Sequence, residues 1–317
     1  MKEPFSSSLK IDWLSLRFHL KGEDAAQAIP VLVGYAADPE SGGAYGIVRG
    51  GSKLGSGSLV ALQFFAPKSQ SPLIWGDKPV ASLRAKKAKG GGVMLYVYIH
   101  PPGLTPPGAS YVVDQVLCMI LNRAPWEIAE AKVTRIDIAL DLFGVRLEDV
   151  AWGVRGKRIR RPFVNAPTLK SLGFGSPKHG AVAIYDRTGK DGHDANQPWT
   201  RIEGRLKPAC AVKHLPSTKN LFARLDVVDV RSAWKDLGRH PIEAEAMLAL
   251  AQLKGWKAVV DLFPKDTPVP FGKTVAKALQ TATPTWWNPD LAWDAFPDAL
   301  ALALPAKSNV VEEGHLF

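Results

Sequence analysis

Three short segments of the 317-residue chain place ionisable side chains at alternating positions. Side chains alternate along a strand, so VTRIDIALDL (133–142) sends Ile136, Ile138, Leu140 and Leu142 to one face and Arg135, Asp137, Ala139 and Asp141 to the other. Aspartate is disfavoured within strands, and two of them four residues apart in an otherwise apolar run call for a compensating cation or basic side chains. TRIEGRLK (200–207) repeats the arrangement, with Arg201, Glu203, Arg205 and Lys207 alternating with Ile202, Gly204 and Leu206. Taken alone, such a strand is a salt-bridge ladder. If the two strands are neighbours, Glu203 joins Asp137 and Asp141 around one hard divalent cation, for which carboxylate oxygens are suitable ligands. The flanking basic groups would then meet phosphate. Between them lies HGAVAIYDRTGK (179–190), a short strand ending at Tyr185, Asp186 and Arg187; Tyr185 is the last tyrosine of the chain, all others falling at or before residue 111. Flanked by apolar residues it reads as a core tyrosine, and only its neighbours give it chemistry.

The elements that must position these residues read as strands first and helices later. Strand patterns cover 10–20, with Leu14, Leu16, Phe18 and Leu20 on one face, then 58–66, 92–100, 133–143, 180–187 and 200–207. The Gly/Ser-rich stretch 41–58 reads as a hairpin or loop, and PPGLTPPG at 101–108 breaks regular structure. Helical apolar spacing follows at 109–123, a short helix is expected near 146–154, and 241–263 is helical. The tail is rich in Ala, Pro and Trp, including Trp286, Trp287 and Trp293. This order predicts an α+β fold, an antiparallel sheet with packed helices and a mainly helical C-terminal region. The expected division is 1–215 and 216–317.

Composition narrows the classes. Hydrophobic residues are 46% and charged residues 22%, values typical of a globular chain that builds a core. No window approaches the ~18 apolar residues of a spanning helix and MKEPFSSSLKIDW lacks a signal-peptide core, so a cytoplasmic location without a membrane partner is expected. Cys118 and Cys210 are too few for a disulfide scaffold or a cysteine-built zinc site. The net charge of +10 favours a polyanionic partner. Residues 151–210 hold twelve Lys/Arg against four acids, so +8 of that charge falls there. Arg155, Lys157, Arg158, Arg160 and Arg161 form the densest run and are expected to meet phosphate; under the resemblance described below they become, with Lys170 and Lys178, the expected contacts to a DNA backbone. A second run, Arg84 to Lys89, precedes the glycines 90–92 and reads equally well as a solvated loop.

The order R-x-D-x-A-x-D strand, Y-D-K/R strand, R-x-E-x-R strand resembles the rolling-circle replication initiators of plasmids and filamentous phages, the replication initiation factor family with the gene II-like proteins. The resemblance spans roughly residues 10–215, beginning with IDWLSLRF. It implies a nickase that cuts one strand at an origin, becomes linked to the 5′ phosphate through a tyrosine and requires a divalent metal, Mg²⁺ or Mn²⁺. On this chain it implies Tyr185 as nucleophile and Asp137, Asp141 and Glu203 as metal-site acids, with Arg187 or Arg205 stabilising the phenolate. Origin DNA, single-stranded or extruded from a supercoiled duplex, is the implied partner, and a host helicase a further one. Two features depart from the family pattern: SLGFGS (171–176) lacks the tyrosine that some members carry in a Y-x-G-S-like element, and Arg187 stands for the usual lysine. No His-hydrophobic-His triplet occurs among the seven histidines. Two other readings share the charge: a non-enzymatic origin-binding initiator that recruits host replication proteins, and a primase or nucleotidyl transferase using the two aspartates.

Overall fold

The computed structural model describes residues 6–37, 58–64, 67–68, 71–75, 79–100, 130–156, 163–165, 168–176, 180–190, 194, 196–263 and 271–304. In chain order the elements begin with β1 (Ser6–Leu20), α1 (Gly22–Ala37), β2 (Ser58–Phe64), β3 (Pro67–Lys68), β4 (Ser71–Trp75), β5 (Ala81–Lys87) and β6 (Val93–Ile99). They continue with β7 (Lys132–Phe143), β8 (Ala151–Val154), β9 (Phe163–Asn165), β10 (Thr168–Gly175), β11 (Ala181–Asp186), β12 (Trp199–Leu206) and β13 (Leu225–Val228). Helices close the sequence: α2 (Val230–Asp236), α3 (Pro241–Lys254), α4 (Trp256–Val260), α5 (Phe271–Thr281), α6 (Pro289–Asp294) and α7 (Phe296–Ala303). The fold class is α+β, built on antiparallel strands.

Contacts divide the chain into two units, one of Lys10–Ile138, Lys207–Thr218 and Phe296–Phe317, the other of Met1–Leu9, Ala139–Leu206 and Lys219–Ala295. This differs from a cut at residue 215, because the C-terminal helices α2 to α5 form a core with β8 and β13 residues of the second unit. Strand β7 contributes to both units.

In the first unit the strand order is β2-β5-β6-β1-β7. Strict alternation makes one face the core: Leu62, Leu83, Val97 and Leu16 lie side by side in register and are all buried. Each such burial contributes ~1.5–3 kcal/mol. The hairpin between β5 and β6 turns at Gly90–Gly92, where Gly92 has φ +77° and its Cα faces the Leu20 carbonyl. The basic run from Arg84 thus begins on a strand rather than a loop.

In the second unit the order is β7-β12-β11-β10-β9, with β8 and β13 as a separate pair. Residues 146–154, expected to be helical, form a single 3-10 turn at Leu147–Asp149 and then β8, whose Ala151 and Trp152 are buried. The helical expectation for 241–263 holds as α3 and α4, broken at Gly255, whose φ of +90° suits only glycine comfortably. Helix starts are marked by side-chain caps: the Asp229 carboxylate accepts from the Ser232 amide, and Asn288 caps α6, where Pro289 occupies the first turn. The expected helix at 109–123 lies outside the described residues.

Candidate functional site

Tyr185 lies on β11 directly between Ser171 of β10 and Arg201 of β12. The next row on the same face is Gly173, Ala183 and Glu203, and the next Gly175, Ala181 and Arg205. The alternate residues Leu172, Phe174, Val182, Ile184 and Ile202 form the buried apolar face. Small side chains at Gly173 and Ala183 leave the diagonal above Ala183 uncrowded, a distance long side chains can span. The Tyr185 hydroxyl takes it, donating to Glu203 Oε2 at 3.0 Å.

This pair is half-buried and cationic in its surroundings. Arg205 Nη2 is 3.9 Å from Glu203 Oε1, with side-chain exposures of 29% and 20%. Burial, joined by the Glu203 charge, pushes the Tyr185 phenol up to about 12, although the Arg201 guanidinium works in the opposite direction. The phenol is therefore a neutral donor at pH 7, and its natural proton acceptor is the carboxylate it already contacts.

Arg201 is itself fixed. Its Nε and Nη2 donate to both Asp141 oxygens at 2.6 and 2.8 Å, and the Trp199 indole donates to Asp141 Oδ1 at 2.8 Å. Both charged side chains are at most 3% exposed. Trp199 also lies under two guanidinium groups, Arg187 at 4.8 Å and Arg201 at 5.6 Å from its ring centroid. Arg187 is thus placed at the site edge by Trp199.

Each of the three carboxylates already has a partner. Asp137 accepts from Arg135 Nε at 2.8 Å and from its Nη2, and is 2% exposed. Asp141 is enclosed by Arg201 and Trp199, leaving Glu203 with Tyr185. Among the described residues no three Asp, Glu, His or Cys side chains gather to hold a metal ion. The donor set Asp137, Asp141 and Glu203 therefore does not fit a Mg²⁺ or Mn²⁺ site, because a guanidinium already neutralises each aspartate. β7 satisfies its aspartates with basic side chains, the other compensation its sequence allowed.

Of the expected backbone contacts, Lys170 pairs with Asp186 Oδ2 at 2.9 Å. Burial opposes ionisation of Asp186, but hydrogen bonds from Thr188 and Lys170 hold its carboxyl below the ordinary value. Arg155 is 64% exposed, hydrogen-bonds the Ala223 carbonyl and approaches Asp226 at 3.5 Å. Lys157, Arg158, Arg160, Arg161 and Lys178 lie outside the described residues. In SLGFGS the position that matches the tyrosine of Y-x-G-S is Gly173, which lies in the row of Ala183 and Glu203, while Phe174 is buried on the apolar face; this chain therefore has no hydroxyl where that element would bring one to the Glu203 face. Sequence reasoning passed over Arg201 and Trp199 as site residues. The signal was present, since both share the alternation that singled out Glu203.

No family model and no curated protein matches the chain. A solved structure described as the rolling-circle replication initiator protein from Geobacillus stearothermophilus aligns over 95% of this chain and 99% of its own, at 14% identity and a TM-score of 0.35. A likeness that low carries no functional argument, so the case for function rests on the residues.

Proposed function

We propose that the chain is a replication initiator that nicks one DNA strand with Tyr185, and the observation that carries this reading is the Tyr185–Glu203 hydrogen bond beside the Arg205 guanidinium. A phenol aimed at a carboxylate, with guanidinium groups at the rim, has the parts of an activated nucleophile and an oxyanion clamp. In the proposed step the phenol oxygen attacks phosphorus in line while its proton passes to Glu203. A Tyr185–phosphate ester forms, the P–O3′ bond breaks, and the departing 3′ oxygen takes up a proton to leave a 3′ hydroxyl as primer. Arg205 and Arg187 stabilise the charge on the phosphoryl oxygens. Arg201 orients from beneath, its position set by Asp141. Reversing the attack with a new 3′ hydroxyl rejoins the strand. No step is routed through a metal.

The test uses supercoiled plasmid carrying the DNA that flanks this gene. The protein is expected to give a nicked circle bearing a protease-sensitive covalent adduct, and Tyr185→Phe to abolish the adduct while retaining DNA binding. An undiminished adduct with Tyr185→Phe moves the nucleophile elsewhere. The second reading, a non-enzymatic origin-binding initiator, is favoured by the guanidinium pairing of Asp137 and Asp141 and by the raised phenol. Intact supercoils after incubation with Mg²⁺ or Mn²⁺ present would select it.

A further inference from the structure

Strand alternation gives the first unit a second face that the nicking chemistry does not use. Opposite the buried leucines and valines, Tyr98 lies in register between Ser15 and Ser82, and Tyr96 between Arg17 and Arg84. The two tyrosine rings are nearly parallel, 9° apart, with centroids separated by 6.5 Å. Trp13 extends the surface, 6.2 Å from both Tyr98 and His100. These rings are half-buried, neither sunk into the core nor spread singly over the surface.

Two of the rings are anchored by hydrogen bonds. The Trp13 indole donates to Ser15 Oγ at 2.7 Å, and His100 Nδ1 donates to the Asp12 carbonyl at 2.6 Å. Cations accompany them: Arg84 lies 5.9 Å from the Tyr98 centroid and Arg135 5.2 Å from that of Trp13. Arg135 also pairs with Asp137, which neutralises the acid on this face.

We infer that this face binds a run of unpaired nucleotides, stacking bases on Trp13, Tyr96 and Tyr98 and meeting their phosphates with Arg17 and Arg84, which flank Tyr96 in register. Charge complementarity selects this occupant. Same-face residues on a strand repeat every ~6.5–7 Å, so neighbouring rings offer successive stacking steps to an extended single strand. An apolar peptide would gain little from the guanidinium groups, and a duplex hides the faces of its bases. Stacking on aromatic rings tolerates any base, so the surface grips without reading sequence. The inference does not rest on Tyr185 chemistry, although a nickase that melts its target needs such a surface.

The experiment measures anisotropy of a labelled oligothymidylate of about 16 nucleotides with the full-length protein, and repeats it with a duplex of equal length. Tyr96→Ala/Tyr98→Ala is expected to weaken single-strand binding tenfold or more, Trp13→Ala to weaken it by a similar factor, and Tyr96→Phe/Tyr98→Phe to bind as the parent. Retention in the phenylalanine pair separates lost stacking from a lost fold. Arg84→Ala is expected to lower the slope of log affinity against log salt by about 0.7. Parent-like affinity in both alanine variants, or equal affinity of the parent for duplex and single strand, overturns the inference. Tyr185→Phe serves as the arm that separates the two proposals: it is expected to bind oligothymidylate normally whether or not the adduct assay fails.

Discussion

Tyr185 is a nucleophile candidate whose acidity runs against it, and that opposition is measurable. Burial and Glu203 raise the phenol to about 12. The unfolded chain titrates this group near its ordinary value of about 10. Its contribution to stability is therefore complete below about pH 10 and disappears as pH rises toward 12. Ultraviolet titration of tyrosinate is expected to show a late phenol step that Tyr185→Phe removes, and alkaline unfolding of that variant is expected to depend less on pH in this window. Asp141 makes a different prediction. As a buried partner of Arg201, its replacement in Asp141→Asn leaves a guanidinium without its counter-charge and is expected to cost ~3–5 kcal/mol in denaturant unfolding. The double variant Asp141→Leu/Arg201→Met is expected to lose less than either single change.

At the scale of elements, alternation was legible and partnership was not. The sequence correctly placed Asp137 and Asp141 away from Ile136, Ile138, Leu140 and Leu142, but a period of two does not say which cation meets each carboxylate. Over Ile136–Leu142 both faces of β7 are buried, and in that setting a guanidinium fork satisfies a carboxylate with two hydrogen bonds. β8 was read as helix because AWGV is too short to show a period; its pairing with β13 decided its state. β5 and β10 carry no clear period in the sequence, since SLRAK and KSLGF mix charge with apolar residues in runs that only neighbouring strands make regular. The β5–β6 turn offers a direct check. A Cβ at Gly92 would stand 2.3 Å from the Leu20 carbonyl oxygen on a backbone with φ +77°. Gly92→Ala is expected to destabilise the first unit by ~1–3 kcal/mol, read as a lowered midpoint in thermal unfolding, whereas Gly90→Ala, with nothing near its Cβ, is expected to change little.

Over the whole molecule, charge location carries the functional argument better than charge total. The excess of +10 is modest for 317 residues, yet +8 of it falls within 151–210, the segment that also supplies Tyr185 and Glu203. Phosphate contacts release counterions and act alike on every sequence. Replacing Arg155, Lys157, Arg158, Arg160 and Arg161 by Ala is expected to weaken binding to unrelated DNA sequences to the same degree and to flatten the salt dependence; filter binding across a salt series measures both. No helix among the described residues is long and apolar enough to cross a membrane.

Trp199 has a use that follows from its position alone. Its indole is hydrogen-bonded to Asp141 and lies beneath Arg187 and Arg201, so it is electronically coupled to both guanidinium groups. An anion that draws Arg187 outward must alter the field on that ring. The difference in emission between the parent and Trp199→Phe would then serve as an intrinsic optical gauge of anion binding at Arg187, requiring no attached dye.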